Sequence, residues 1–97
     1  MLDFEWDEAK AAGNRKKHGV AFEEAATVFG DKLGLTVFDP DHSKVEERFL
    51  TVGRSARGRL LIVSHADRDG RLRIISARKL TPKERKAYEN EIRSGKG

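Results

Sequence analysis

RLRIISARKLTPKERKAY, residues 71–88, reads as a strand, a short corner and the opening turns of a helix. Leu72, Ile74 and Ser76 alternate with Arg71, Arg73, Ile75 and Ala77, the period of two that pleated backbone imposes on its side chains. Thr81-Pro82-Lys83-Glu84 is then a helix start. The threonine hydroxyl accepts from the third helical N–H, proline sits where no N–H is missed, and Glu84 reaches back to complete a capping box. Arg78, Lys79, Lys83, Arg85 and Lys86 gather around that corner, with Tyr88 a turn beyond. A fixed corner of such charge is suited to holding an anion.

Working outward, residues 66–70 (ADRDG) predict a hairpin turn, and residues 59–65 a strand. Leu60, Leu61, Ile62 and Val63 are apolar on both faces, so that strand is expected to be central. Residues 55–58 (SARG) predict a second hairpin turn after a strand at 48–54, and a loop opens at Asp39-Pro40-Asp41 after a strand at 33–38. Toward the N-terminus, Leu2-Asp3-Phe4-Glu5-Trp6 alternates as a short strand. Asp7 caps a helix running to His18, acidic at its start, basic at its end and stopped by Gly19, although Gly13 weakens its middle. Phe22, Ala25, Ala26 and Phe29 carry the spacing of a second, amphipathic helix. The order predicts an α+β fold: a short N-terminal strand, two helices, an antiparallel meander sheet and a C-terminal helix, with the helices on one face. Residues 1–97 read as a single domain whose last five residues, 93–97, are expected to fray.

The 97 residues are 37% hydrophobic and 37% charged, with mean hydropathy −0.68. No apolar run approaches the ~20 residues of a membrane helix, and the acidic N-terminus lacks a secretory signal. Zero cysteines exclude disulfides and thiolate metal sites and fit a cytoplasmic location. The net charge of +4 is segregated: residues 1–50 carry 7 Lys/Arg against 11 Asp/Glu, and residues 51–97 carry 13 against 5. A basic half of that strength favours an anionic partner, nucleic acid first.

The hairpins carry Arg54, His65 and Arg78 onto neighbouring strands. If they share a face with Tyr88, the group suffices for RNA cleavage with no metal or other cofactor. Guanidiniums would neutralise the charge of the phosphorane, and histidine would carry the proton. Tyr88 could do so only if neighbouring cations lowered its pKa; otherwise it would stack on a base. The plainer alternatives are arginines paired with the acids of the first half, a core His65 and a Tyr88 that packs against Ile92. Asp39-Pro40-Asp41-His42 with Glu46 and Glu47 has no metal-binding spacing, His18 is a helix C-terminal cation, and residues 53–58 form a hairpin rather than a phosphate loop.

Phe4-Glu5-Trp6-Asp7-Glu8, Asn14-x-x-Lys17-His18-Gly19-Val20-x-Phe22-Glu23-Glu24-Ala25, Thr51-Val52-Gly53-Arg54, Ile74-Ile75-Ser76-Ala77-Arg78, Lys83-Glu84-Arg85 and Tyr88-Glu89 occur in that order. Together they resemble the BrnT family of type II toxins, small ribonucleases with a RelE-like fold. The resemblance spans residues 4 to about 89. It implies a growth-arresting endoribonuclease neutralised by a BrnA-like ribbon-helix-helix antitoxin, with operator DNA contacted only through the toxin–antitoxin complex. By position it favours Arg54 and Arg78 for catalysis, while His65 and Tyr88 stay catalytic candidates on their chemistry alone, and it favours Lys83 and Arg85 on phosphates. Arg57, Arg73 and Lys79 join these as RNA contacts on charge. RelE-like toxins tend to carry extra lysines on the early strands for a ribosomal substrate; with only Lys32 and Lys44 there, the resemblance implies free RNA as readily as ribosome-bound RNA. The alternative is a non-catalytic RNA- or antitoxin-binding module acting in transcriptional autoregulation.

Overall fold

The structure is a computed structural model; it describes the backbone of residues 2–95 and the side chains of residues 2–93. Five strands form one sheet: β1 (Phe4–Glu5), β2 (Leu35–Phe38), β3 (Phe49–Arg54), β4 (Leu60–Arg68) and β5 (Arg71–Lys79). Their order across it is β1-β5-β4-β3-β2, so β4 is central as its apolar run demands. All neighbours are antiparallel except β1, which lies parallel to β5 with Phe4 opposite Leu72.

Helix α1 (Glu8–His18) starts where Asp7 accepts from the Lys10 N–H at 2.9 Å and ends at Gly19, whose φ of +70° only glycine adopts cheaply. Its single buried residue is Asn14. Because β1 covers β5 only at residues 72 and 73, the edge of β5 beyond it is bare. The Asn14 carboxamide closes that edge as a strand would, accepting from the Ala77 N–H at 3.0 Å and donating to the Ala77 carbonyl at 2.9 Å and the Val20 carbonyl at 3.0 Å. Helix α2 (Phe22–Thr27) runs on into a 3-10 turn, Val28–Gly30. It is tied to the β3–β4 hairpin by the buried Glu24, which accepts from Arg59 and, at 2.7 Å, from the Ser55 hydroxyl.

The core lies between these helices and one face of the sheet. Val20, Phe22, Ala25 and Val28 pack on Leu61, Val63, Leu72, Ile74 and Ala77, with Trp6 meeting Phe22 edge-on at 5.9 Å. Each large member contributes about 1.5–3 kcal/mol of burial. Gly53 belongs to this contact, since a Cβ there would stand 3.0 Å from Val28 Cγ1 and 3.2 Å from Asp31 Oδ2.

Three expectations change. The β4–β5 turn is not five residues long: pairing continues to Arg68 opposite Arg71, leaving Asp69-Gly70 as a two-residue turn with φ of +53° and +79°. Asp-Gly is the pair that a twisted hairpin with two left-handed residues selects. The alternation along β5 is broken, because Ser64 pairs with Ser76 while His65 pairs with Ile74, so Ile75 is an extra residue. Beyond this bulge the faces exchange, and Ala77 rather than Ser76 joins Leu72 and Ile74 in the core. The helices do not share a face: α3 (Pro82–Gly95) lies on the opposite side, facing Leu35, Val37, Val52, Ile62 and Leu80. Helix α3 covers those apolar side chains only in part, leaving Leu35 37% and Val37 56% exposed. Helix α3 extends to Gly95, and residues 96 and 97, the end of the segment expected to fray, lie outside the described residues.

Candidate functional site

The four residues expected to act together stand in three places. His65 is on the core face, 6% exposed, with Phe29 edge-on at 4.9 Å and Phe49 stacked at 6.0 Å. Its Nε2 is 2.7 Å from the Thr51 hydroxyl, itself 2.7 Å from the Thr36 hydroxyl, while Nδ1 has no hydrogen-bond partner among the described residues. Burial pushes its pKa below the usual imidazole value, only partly opposed by Asp67. A neutral ring with its proton on Nε2 leaves no donor stranded. These are the surroundings of the core histidine in the plainer reading, on the side of the sheet away from Arg78.

Arg54 and Tyr88 lie on the α3 side, lining a groove with Asp31, Leu33 and Ile92. Arg54 donates to its own hairpin at the Gly58 carbonyl, 2.8 Å, and its N–H to Asp31 at 2.7 Å. The Tyr88 hydroxyl donates to the Leu33 carbonyl at 3.1 Å. Its pKa is raised, first by burial and then by Asp31, and Arg54 does not reverse this. The hydroxyl thus pins α3 to the segment before β2, in surroundings that do not lower its pKa.

Arg78 faces a different cleft of about 410 Å³, whose floor is Leu50, Ile62, Ser64, Ile75 and Ser76 and whose walls are Arg48, Asp39, Asp41 and His42. Strict alternation would have turned Arg78 inward with Leu72 and Ile74; the bulge at Ile75 turns it out. Its guanidinium meets Glu84 through both terminal nitrogens, at 2.8 and 2.9 Å, and Nη1 also donates to the Lys79 carbonyl at 3.2 Å. The same Glu84 closes the expected capping box, accepting from the Thr81 N–H at 2.9 Å while its own N–H donates to the Thr81 hydroxyl at 3.1 Å. Arg78 and the cap hold the Glu84 pKa down at about 2, and Glu84 in turn raises that of Arg78.

Three of the five guanidinium N–H groups of Arg78 are thereby used. The two left are Nε–H and the second N–H of Nη2, which point the same way from one edge of the plane. That parallel fork fits two phosphate oxygens. Across the cleft, Arg48 Nε has no hydrogen-bond partner among the described residues, though Glu46 lies 3.7 Å away. The expected RNA contacts divide as well: Arg73 pairs with Glu5 at 3.2 Å and Arg57 with Glu24 at 3.7 Å, whereas Lys79 and Lys83 make no ion pair among the described residues. Arg85 pairs with Glu89 at 3.6 Å.

The family model for "Ribonuclease toxin, BrnT, of type II toxin-antitoxin system" matches residues 6–84. The chain belongs to the BrnT family. The fold agrees with a solved structure described as the 1.1 Å crystal structure of the Brucella abortus ribonuclease toxin, BrnT. The TM-score is 0.61 at 21% sequence identity, over 84% of this chain and 99% of that one. No curated protein matches by sequence. The α+β architecture is thus that of a BrnT ribonuclease toxin.

Within this BrnT fold, most residues that carry the sequence resemblance are occupied in building it. Asn14 closes the β5 edge, Gly19 ends α1, Glu24 locks α2, Thr51 anchors His65 and Gly53 admits the 3-10 turn. Arg48, Asp39, His42, Ser64 and Ser76, which complete the cleft around Arg78, are not picked out by residue spacing. The one legible signal was Asp39-Pro40-Asp41-His42, a charged turn that also carries a histidine.

Proposed function

We propose that this BrnT-family ribonuclease cleaves RNA in the Arg48–Arg78 cleft by attack of the 2′-hydroxyl on its own 3′-phosphodiester, with arginines in place of a metal. The observation that carries this reading is the free fork of Arg78, fixed by Glu84 before any substrate arrives. Cations already oriented toward developing charge lower the barrier without reorganising. The apolar floor at Leu50, Ile62 and Ile75 offers a surface for a base, and Ser64 and Ser76 offer hydroxyls to the sugar. Lys79, Lys83 and Arg85 surround the start of α3 and would draw the RNA strand in. Arg54, held to its hairpin, is assigned to the passing strand rather than to the cleaved bond.

The type II family implies a cognate antitoxin, and we assign a BrnA-like ribbon-helix-helix protein to that role, with DNA reached through the complex and the cytoplasm as the working compartment. Apolar exposure at the outermost strand supports a protein partner: Leu33, Leu35 and Val37, with Phe38 on the opposite face, are each 37–60% exposed. Among the described residues no helix is long and apolar enough to cross a membrane.

The test is induced expression of the chain in cells, scoring growth and mapping new RNA ends. The Arg78→Gln and Arg78→Lys variants are expected to lose the ends at least 100-fold, because lysine cannot replace a fork. Undiminished cleavage in both would move the site elsewhere. A folded wild type that makes no new ends would leave only a binding module.

A further inference from the structure

Asp39 and His42 are unused by the fold's core and stand at the wall of the same cleft. They belong to a 3-10 turn, Pro40–His42, that begins with a proline at its first position. In such a turn residues three apart eclipse one another, which brings His42 Nδ1 to 2.9 Å from Asp39 Oδ2. The loop that carries them is closed on itself. The Asp39 N–H donates to the Arg48 carbonyl at 2.9 Å, and the Ser43 hydroxyl donates to the Asp39 carbonyl at 2.6 Å while accepting from the Arg48 N–H at 2.8 Å. Asp39 has a side-chain exposure of 12% and His42 one of 67%, so the carboxylate is set in the wall and the ring is presented. A carboxylate can only accept, so Nδ1 carries the proton and Nε2 is left with its lone pair outward.

We propose that His42, oriented by Asp39, is the proton carrier of the cleavage reaction. The inference rests on the cleft being the ribonuclease site. Nε2 takes the proton of the 2′-hydroxyl as that oxygen bonds to phosphorus. The bond from phosphorus to the 5′-oxygen breaks, and the departing oxygen takes the proton from the imidazolium. The products are a 2′,3′-cyclic phosphate and a 5′-hydroxyl, with His42 neutral again. His42 is the catalytic residue and Asp39 its positioning residue.

The measurement is single-turnover cleavage of an RNA oligonucleotide by purified wild type, His42→Ala, Asp39→Asn and Arg78→Gln, each with a thermal melt. His42→Ala is expected to lower the maximal rate 10²–10⁴-fold with little change in half-saturation, and added imidazole to restore part of it. Imidazole does nothing for Arg78→Gln. Asp39→Asn, which still occupies the turn, is expected to lose about tenfold in rate. A His42→Ala rate within threefold of wild type, or a loss confined to half-saturation, overturns the assignment of His42 while leaving the ribonuclease reading standing if Arg78→Gln is dead. A wild type that cleaves nothing overturns both.

Discussion

At the scale of single residues, similar side chains acquire opposite roles from their surroundings. Arg59 and Arg78 each face a glutamate and each use three N–H groups, but Arg59 spends its Nε–Nη2 edge on Glu24 and the Gly19 carbonyl, whereas Arg78 keeps that edge open. His65 and His42 differ in the same way, one walled in by Phe29 and Phe49 and the other presented to solvent. Burial lowers the pKa of His65 in the fold while the unfolded chain retains a value near 6.5. Below about pH 6.5 the unfolded state therefore binds the extra proton first, and stability falls with acid until the folded-state value is passed. The slope is at most about 1.4 kcal/mol per pH unit. Urea midpoints measured between pH 7.5 and 5 are expected to fall, and the slope to disappear in His65→Leu, whatever that variant costs overall. A flat wild-type profile would mean that the ring is charged in the core.

At the scale of elements, α1 and α3 depend on a few polar contacts, unlike α2, whose Phe22 and Ala25 lie in the core. Asn14→Ala strands the Ala77 N–H and frees α1 from the β5 edge. It is expected to cost about 2–4 kcal/mol by urea unfolding; a loss under 1 kcal/mol would show that water substitutes for the carboxamide. Helix α3 is held from the other side of the sheet by the Tyr88 hydroxyl and by Arg78 at its cap. Tyr88→Phe removes one hydrogen bond at a half-buried site and is expected to cost about 0.5–1.5 kcal/mol with RNA cleavage unchanged. A collapse in cleavage with the fold intact would return Tyr88 to the reaction.

At the scale of the whole molecule, the charge segregation of the sequence is folded back on itself. Acids of the first half pair with arginines of the second: Glu5 with Arg71 and Arg73, Glu24 with Arg57 and Arg59, Glu46 with Arg68. Among the described residues, the bases left without an ion pair fall mainly at two places, Arg15, Lys16 and Lys17 at the end of α1 and Lys79, Lys83 and Lys86 at the β5–α3 corner. Two of the molecule's pairs set its acid limit, because Glu24 and Glu84 are both held at about 2 against an ordinary 4.5, chiefly by Arg59 and Arg78. A lowered folded-state pKa gives stability that is complete above about pH 4.5 and is lost as pH falls toward 2. Thermal melts are thus expected to show a second, steeper decline below pH 4.5, beyond that of His65, and Glu24→Gln to be less stable at pH 7 while declining less there. From the sequence alone came the strands, both early helix boundaries, the capping box, the central place of β4 and the family resemblance. These are local: hydrophobic period, caps and turn residues act over a few positions. The tertiary structure alone decided which basic residues meet, because facing depends on register. A single extra residue at Ile75 reverses every side chain after it, bringing Arg78 out to Arg48 and His42 and leaving His65 on the other side of the sheet.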